Sequence, residues 1–158
     1  MFRDLTRKKQ KLSRDESIFL LKTEKRGVLS VNGDDGYPYG VPMNHWYNED
    51  DGKIYFHCGK YGHKLDSLRK DSKVSFCVFD KGCSEDGKWA LAVKSVIVFG
   101  KVEIVSDRER IVDIATKLSH KFTSDEEYIR KEIEQHADRT LLLVLTPEHI
   151  SGKTVQES

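Results

Sequence analysis

Between Trp89 and Ser106 the chain reads WALAVKSVIVFGKVEIVS. Its apolar and β-branched residues mark it as strand, and at about 18 residues it exceeds ordinary strand length. A bend or bulge is therefore expected near Lys94–Ser95 or at Gly100. Shorter strand signals surround it. GVLSVN begins at Gly27, YPYGVPMNHWYN at Tyr37, KIYFHC at Lys53 and KVSFCVF at Lys73, and RTLLLVLTPEHISGK closes the series. GDDG at 33–36 and EDDG at 49–52 read as turns, and residues 80–88 as a polar loop. Strands joined by tight turns pair antiparallel. A sheet of about six of them escapes its edges most easily by closing into a small barrel.

Helix signals fit around that barrel. Ser13 with Glu16 makes a capping box ahead of Ile18, Leu20 and Leu21, and Gly27 is expected to end the helix. A short helix is expected from about Gly62 to Arg69, with Leu65 and Leu68 inward. Ser106 or Asp107 caps a third, with Ile111, Ile114, Ala115 and Leu118 on one side. Ser124 and Glu127 suggest a second capping box before a fourth. Pro38 and Pro42 each withhold a ladder donor, so their strand should run at an edge or a bulge. The expected class is mainly β with flanking helices, in a single domain over residues 1–158.

Charge narrows the function classes. Lys and Arg total 27 against 26 Asp and Glu, for a net charge of +1. That balance does not fit a general nucleic-acid or membrane binder. MFRDLTRKKQK at the start is locally basic; it reads as a solvated arm or helix lead-in, with an RNA- or lipid-binding tail as the weaker alternative. No apolar run approaches the roughly 20 residues that span a bilayer, and no signal-peptide core is visible. Three cysteines (Cys58, Cys77 and Cys83) without a CxxC pair point to reduced thiols and a cytoplasmic setting.

IYFHCGKYGHKLDSLRK, from Ile54 to Lys70, turns from strand to helix through Gly59 and Gly62. His57, Lys60, His63 and Lys64 gather where the helix dipole is already positive. Cations placed there are mildly destabilising unless an anion joins them. The glycines let backbone approach a ligand, so the segment can cradle a phosphate; equally, the lysines can point into water and the glycines simply turn the chain. His57 shares a strand face with Tyr55 and is either a ligand contact or a rim histidine. The spacing of His57, Cys58 and His63 matches no zinc pattern, so no metal is expected. In VPMN, Pro42 leaves room for a flat ligand, while Met43 and Asn44 offer polar groups to a heterocycle edge; an ordinary edge strand is the alternative. Ser95 needs a partner if buried. His120 and His136 read as solvated.

Taken together, GVLSV, DGYPYGVPMNHWYNEDDGKIYFHCGKYGHKLDSLRKDSKVSFCVF and KSVIVFGKVEIV resemble the pyridoxamine 5'-phosphate oxidase-like, FMN-binding split-barrel proteins, and within them the nitroimidazole-resistance branch. The resemblance covers about residues 7–155. It implies a six-stranded antiparallel split barrel, a homodimer, and FMN held at the dimer interface with residues from both subunits. By that resemblance Lys60 and Lys64 bind the phosphate with backbone at Gly62 and His63. Pro42, Met43 and Asn44 meet the ring system, and Ser95 and Val96 lie near the phosphate or ribityl chain. His57 lies near cofactor or substrate and is the candidate proton donor. The implied activity is an FMN-dependent oxidoreductase using a reduced nicotinamide, NAD(P)H, and a nitro-aromatic or related small acceptor. A flavin carrier without turnover and a haem-binding split barrel are the alternatives. The arginine-rich phosphate motif of true pyridoxamine phosphate oxidases is missing, which speaks against activity on vitamin B6 phosphates.

Overall fold

The computed structural model describes residues 1–157. In chain order it holds α1 (Arg14–Thr23), β1 (Arg26–Asn32), β2 (Pro38–Asn44), β3 (Trp46–Asn48), β4 (Lys53–Gly59), α2 (His63–Lys70) and β5 (Lys73–Phe79). Then come β6 (Leu91–Val105), α3 (Arg108–His120), α4 (Glu126–His136) and β7 (Thr140–Glu157). All strand pairs are antiparallel, in the order β2-β1-β5-β6-β7-β4-β3.

That order dictates the shape. β2 and β3 lie at opposite margins of the sheet, yet only His45 separates them in the chain. Laid flat, seven strands would hold those margins about 29 Å apart, whereas one intervening residue spans at most about 7 Å. The sheet must curl until its margins meet, and no ladder closes the gap between them among the described residues. This is a split barrel. It has seven strands where six were expected, because the second strand signal breaks at His45.

Residue parity then assigns the two faces. Leu29, Phe56, Phe76, Val98, Leu143 and Leu145 point into the curl and form its core. Tyr55, Leu142 and Val144 alternate with them to the outside, where Val105, Ile111 and Ile114 cover them. Helix α3 thus packs on the outer face of β4 and β7, and α2 contributes Leu65 and Leu68 to the interior. No helix among the described residues is long and apolar enough to cross a membrane.

Two expectations change, and a third resolves between its alternatives. Gly27 lies in β1 rather than ending α1, which stops at Thr23. A Cβ there would come within 2.5 Å of the Cys77 carbonyl oxygen and 2.6 Å of the Phe76 ring, so tertiary crowding, not helix termination, demands the glycine. The cap of α4 is Asp125, whose carboxylate accepts the Tyr128 N–H at 3.0 Å, not Ser124. The register of the long strand against β7 shifts between Phe99 and Gly100, at the second of the two places expected. The Ser13–Glu16 capping box is present as expected.

Candidate functional site

Strand parity places the first site residue. His57 follows Tyr55 by two, so it faces the outer side of β4, toward α3 and α4. There the helices stand off the sheet and leave a cavity of about 560 Å³. Its sheet side carries Asn44, His57, Cys58 and Gly59. Its helical side is mostly apolar, with Ala115, Leu118 and Phe122 from α3 and its end, and Ile129, Ile133 and Ala137 from α4 and the turn after it. Glu132, His136 and Arg139 also contribute to the lining. His57 remains exposed to solvent. Even so, the protein crowded around its ring, and then the Lys64 charge, lower its pKa. It is therefore neutral at pH 7. Burial also pushes the Cys58 thiol up, so Cys58 is a protonated thiol.

A short distance on, the chain leaves β4 and enters α2. Gly62 is the cap residue, at φ 134°, a conformation that side chains rarely adopt. Neither Gly59 nor Gly62 has a neighbouring atom within 4 Å of an added Cβ, so the space over this turn is open. Side chains cap α1, α3 and α4, while α2 has no such cap. Its first N–H groups are left for another partner. Lys60 and Lys64 form no ion pair among the described residues; the Lys64 ammonium rests on the Met43 sulfur at 3.1 Å, a weak acceptor. His63 is held from the far side. The Tyr39 ring stacks on it at 4.2 Å between centroids, and Asp34 lies 3.7 Å from its Nε2. Lys70 shares Asp34 at 3.5 Å.

The neighbouring margin of the sheet is β2. The Gly33 N–H bonds the Tyr37 carbonyl at 2.9 Å and the His45 N–H bonds the Lys25 carbonyl at 3.3 Å. Both fit the β1–β2 register, so the odd-numbered residues of β2 carry the ladder bonds. Pro38 and Pro42 consequently face the free margin and cost no bond. The same alternation turns the backbone of Met43 toward Gly27 and leaves the N–H and carbonyl of Asn44 facing outward. Pro42 is exposed and Met43 buried. The Asn44 side-chain carbonyl accepts a 2.8 Å bond from Arg26 Nε.

Ser95 and Val96 lie elsewhere. Ser95 pairs with Phe79 and Lys153, and the Val96 side chain is wholly buried in the core. Neither lines the cavity. Ser95 shares the outer face of β5 and β6 with Phe79, Phe99 and Leu91, which are 57%, 38% and 38% exposed. Trp89, 80% exposed, precedes that face. His120 pairs with Glu126 on the surface, whereas His136, read as solvated, also borders the cavity. Sequence reasoning found the α3 side of the wall as a helix face with Ile111, Ala115 and Leu118 but missed the α4 side, whose signal was the apolar Ile129 and Ile133. No group of three metal-ligating side chains occurs among the described residues.

The family model described as pyridoxamine 5'-phosphate oxidase matches residues 13–154. The chain belongs to that family. A search of the curated proteins gives no match. Solved structures share its fold. A candidate 5-nitroimidazole antibiotic resistance protein from Bacteroides thetaiotaomicron is 19% identical, with TM-score 0.76 over 93% of this chain and 87% of that one. A FAD-binding protein from Mesorhizobium loti is 24% identical, with TM-score 0.66 over 92% and 97%. The FAD and haem binding protein from Mycobacterium smegmatis is 19% identical, with TM-score 0.73 over 96% and 75%. At these identities the likeness is one of fold.

Proposed function

We propose that this family member is an FMN-dependent oxidoreductase that acts as a homodimer. It would pass electrons from a reduced nicotinamide to a small acceptor of the nitro-aromatic kind. One observation carries the reading: the uncapped start of α2, with Lys60, His63 and Lys64 around an open, glycine-lined turn. A phosphate dianion fits there. It would take the free N–H groups and supply the counter-charge the lysines lack.

The other residues fall in place around that anchor. The free margin of β2 offers the Asn44 N–H and carbonyl, and a bare proline ring, to the edge and face of a flat heterocycle. Bound FMN would supply the hydride-transfer chemistry. His57, kept neutral by burial and by Lys64, would hydrogen-bond a ligand at the cavity floor rather than store a proton. The apolar outer face of β5 and β6 supports pairing with a second copy, since among the described residues no helix covers it, although Phe2 stacks on Phe99 at 5.6 Å. Ser95 sits on that face, and pairing there would bring it to a cofactor held by the other copy. The nitro-aromatic choice draws on the described role of the Bacteroides relative.

The test is identification of the small molecule that copurifies from riboflavin-replete cells, followed by nicotinamide oxidation with a nitro-aromatic acceptor. A bound FMN and steady turnover are expected. A yellow protein without turnover would leave a flavin carrier, and a colourless protein that ignores added FMN would refute the reading.

A second reading has its own support. His57 and His136 border one mainly apolar cavity, and the Mycobacterium smegmatis neighbour is described as binding both FAD and haem. A Soret band that develops at one equivalent of haem and vanishes in His57→Ala or His136→Ala would favour it.

A further inference from the structure

The anion corner at α2 and the cavity under α3 and α4 are chemically unlike, although His57 stands between them. The corner is rich in unpaired cations. The cavity interior carries no formal charge: Asn44 is an amide, His57 is a neutral ring, and Cys58 is a protonated thiol. Its charged lining groups compensate one another. Arg139 Nη2 lies 3.3 Å from His136 Nδ1, and His136 Nε2 lies 3.6 Å from a Glu132 carboxylate oxygen. An ion entering would lose water and meet lining charges, Arg139 and Glu132, that are already linked to each other through His136, so its desolvation would be poorly offset. An apolar body would lie between the α3 and α4 side chains at no such cost. The volume, about 560 Å³, falls in the range of small-molecule sites.

We propose that this cavity is the seat of a second ligand, distinct from the anion corner. The ligand is an uncharged, mainly apolar small molecule whose body lies between α3 and α4 and whose polar group reaches His57 and Asn44. The proposal deepens the oxidoreductase reading by assigning the electron acceptor its own chamber. Ala115 and Ile133, on opposing helices, set how much of that chamber is open.

A matched pair of probes tests it: neutral 4-nitrobenzyl alcohol and anionic 4-nitrobenzoate. Both are titrated into the full chain, with and without saturating FMN, by ligand-observed NMR. The alcohol is expected to bind at least tenfold more tightly than the benzoate, and FMN should not displace it. Ala115→Phe and Ile133→Trp, each checked for folding by circular dichroism, should weaken the alcohol at least tenfold and change FMN affinity less than twofold. Equal or tighter binding of the benzoate overturns the proposal, as does displacement by FMN or wild-type affinity in both filled variants. So does a change of sedimentation mass in those variants, which would mean that a second copy fills the space. The matched pair decides on wild-type protein alone should neither variant fold. Alcohol binding without any FMN binding would uphold the chamber while refuting the cofactor reading.

Discussion

Replacing Lys64 by alanine probes the anion corner most directly. In the free protein its ammonium makes only a 3.1 Å contact with the Met43 thioether, so removal orphans no strong partner and stability should barely change. With a phosphate present the balance is different. A hydrogen bond to a charged group contributes about 1.5–3 kcal/mol, which corresponds to an FMN dissociation constant about 10- to 150-fold weaker. Lys60 is exposed, and Lys60→Ala should weaken binding less. Its share should also fade first as salt rises toward 1 M, where the screening length falls to about 3 Å. A second readout needs no cofactor. The Lys64 charge is the second cause, after burial, of the lowered His57 pKa, so Lys64→Ala should raise the His57 midpoint while leaving it below the ordinary value. Quenching of flavin fluorescence measures the first effect and proton NMR of the imidazole the second. FMN affinity within twofold of wild type, together with an unmoved His57 titration, would refute the placement of Lys64.

Two further outcomes concern stability. His45 is fully buried, donates from Nε2 to the Leu21 carbonyl at 2.7 Å, and leaves Nδ1 without a partner. Burial and then Lys121 push its pKa down to about 3. The unfolded chain therefore binds more protons than the native one between pH 6.5 and about 3, and stability falls with acidification across that window. Between pH 7 and pH 5 the loss should be about 2 kcal/mol, and urea titrations of His45→Gln should lack that part of the slope; parallel curves would dismiss the argument. Gly100→Ala should also destabilise, because a Cβ there would stand 2.2 Å from the Thr146 carbonyl oxygen. Overpacking of this kind costs about 1–3 kcal/mol, and a urea midpoint equal to that of wild type would show that the β6–β7 bulge yields freely.

What could be read in the sequence, and what could not, divides by range. The alternation of Lys73–Phe79, the Ser13–Glu16 box and the strand-to-helix corner at Gly59–His63 are local signals, and each appears where expected. The role of Gly27 was misread because the Phe76 ring that crowds it is 49 positions away. The break at His45 left no local mark either, since it follows from closure of the sheet margins. Likewise the strand signal put His57 and Tyr55 on one face, but nothing nearby said that α3 and α4 would roof that face. The candidate residues from Lys60 to Lys64 are neighbours in sequence, so their clustering at the start of α2 was legible there. Ser95 gains meaning only if a second copy is considered.

The position of β7 sets an order on assembly. It lies between β6 and β4, yet the ribosome makes it after the other six strands. Until it emerges, the nascent protein consists of a four-stranded piece and a two-stranded piece, each with a bare inner edge inviting foreign strands. The keystone arrives last, so both edges stay open to foreign strands until β7 has left the ribosome and slotted between them.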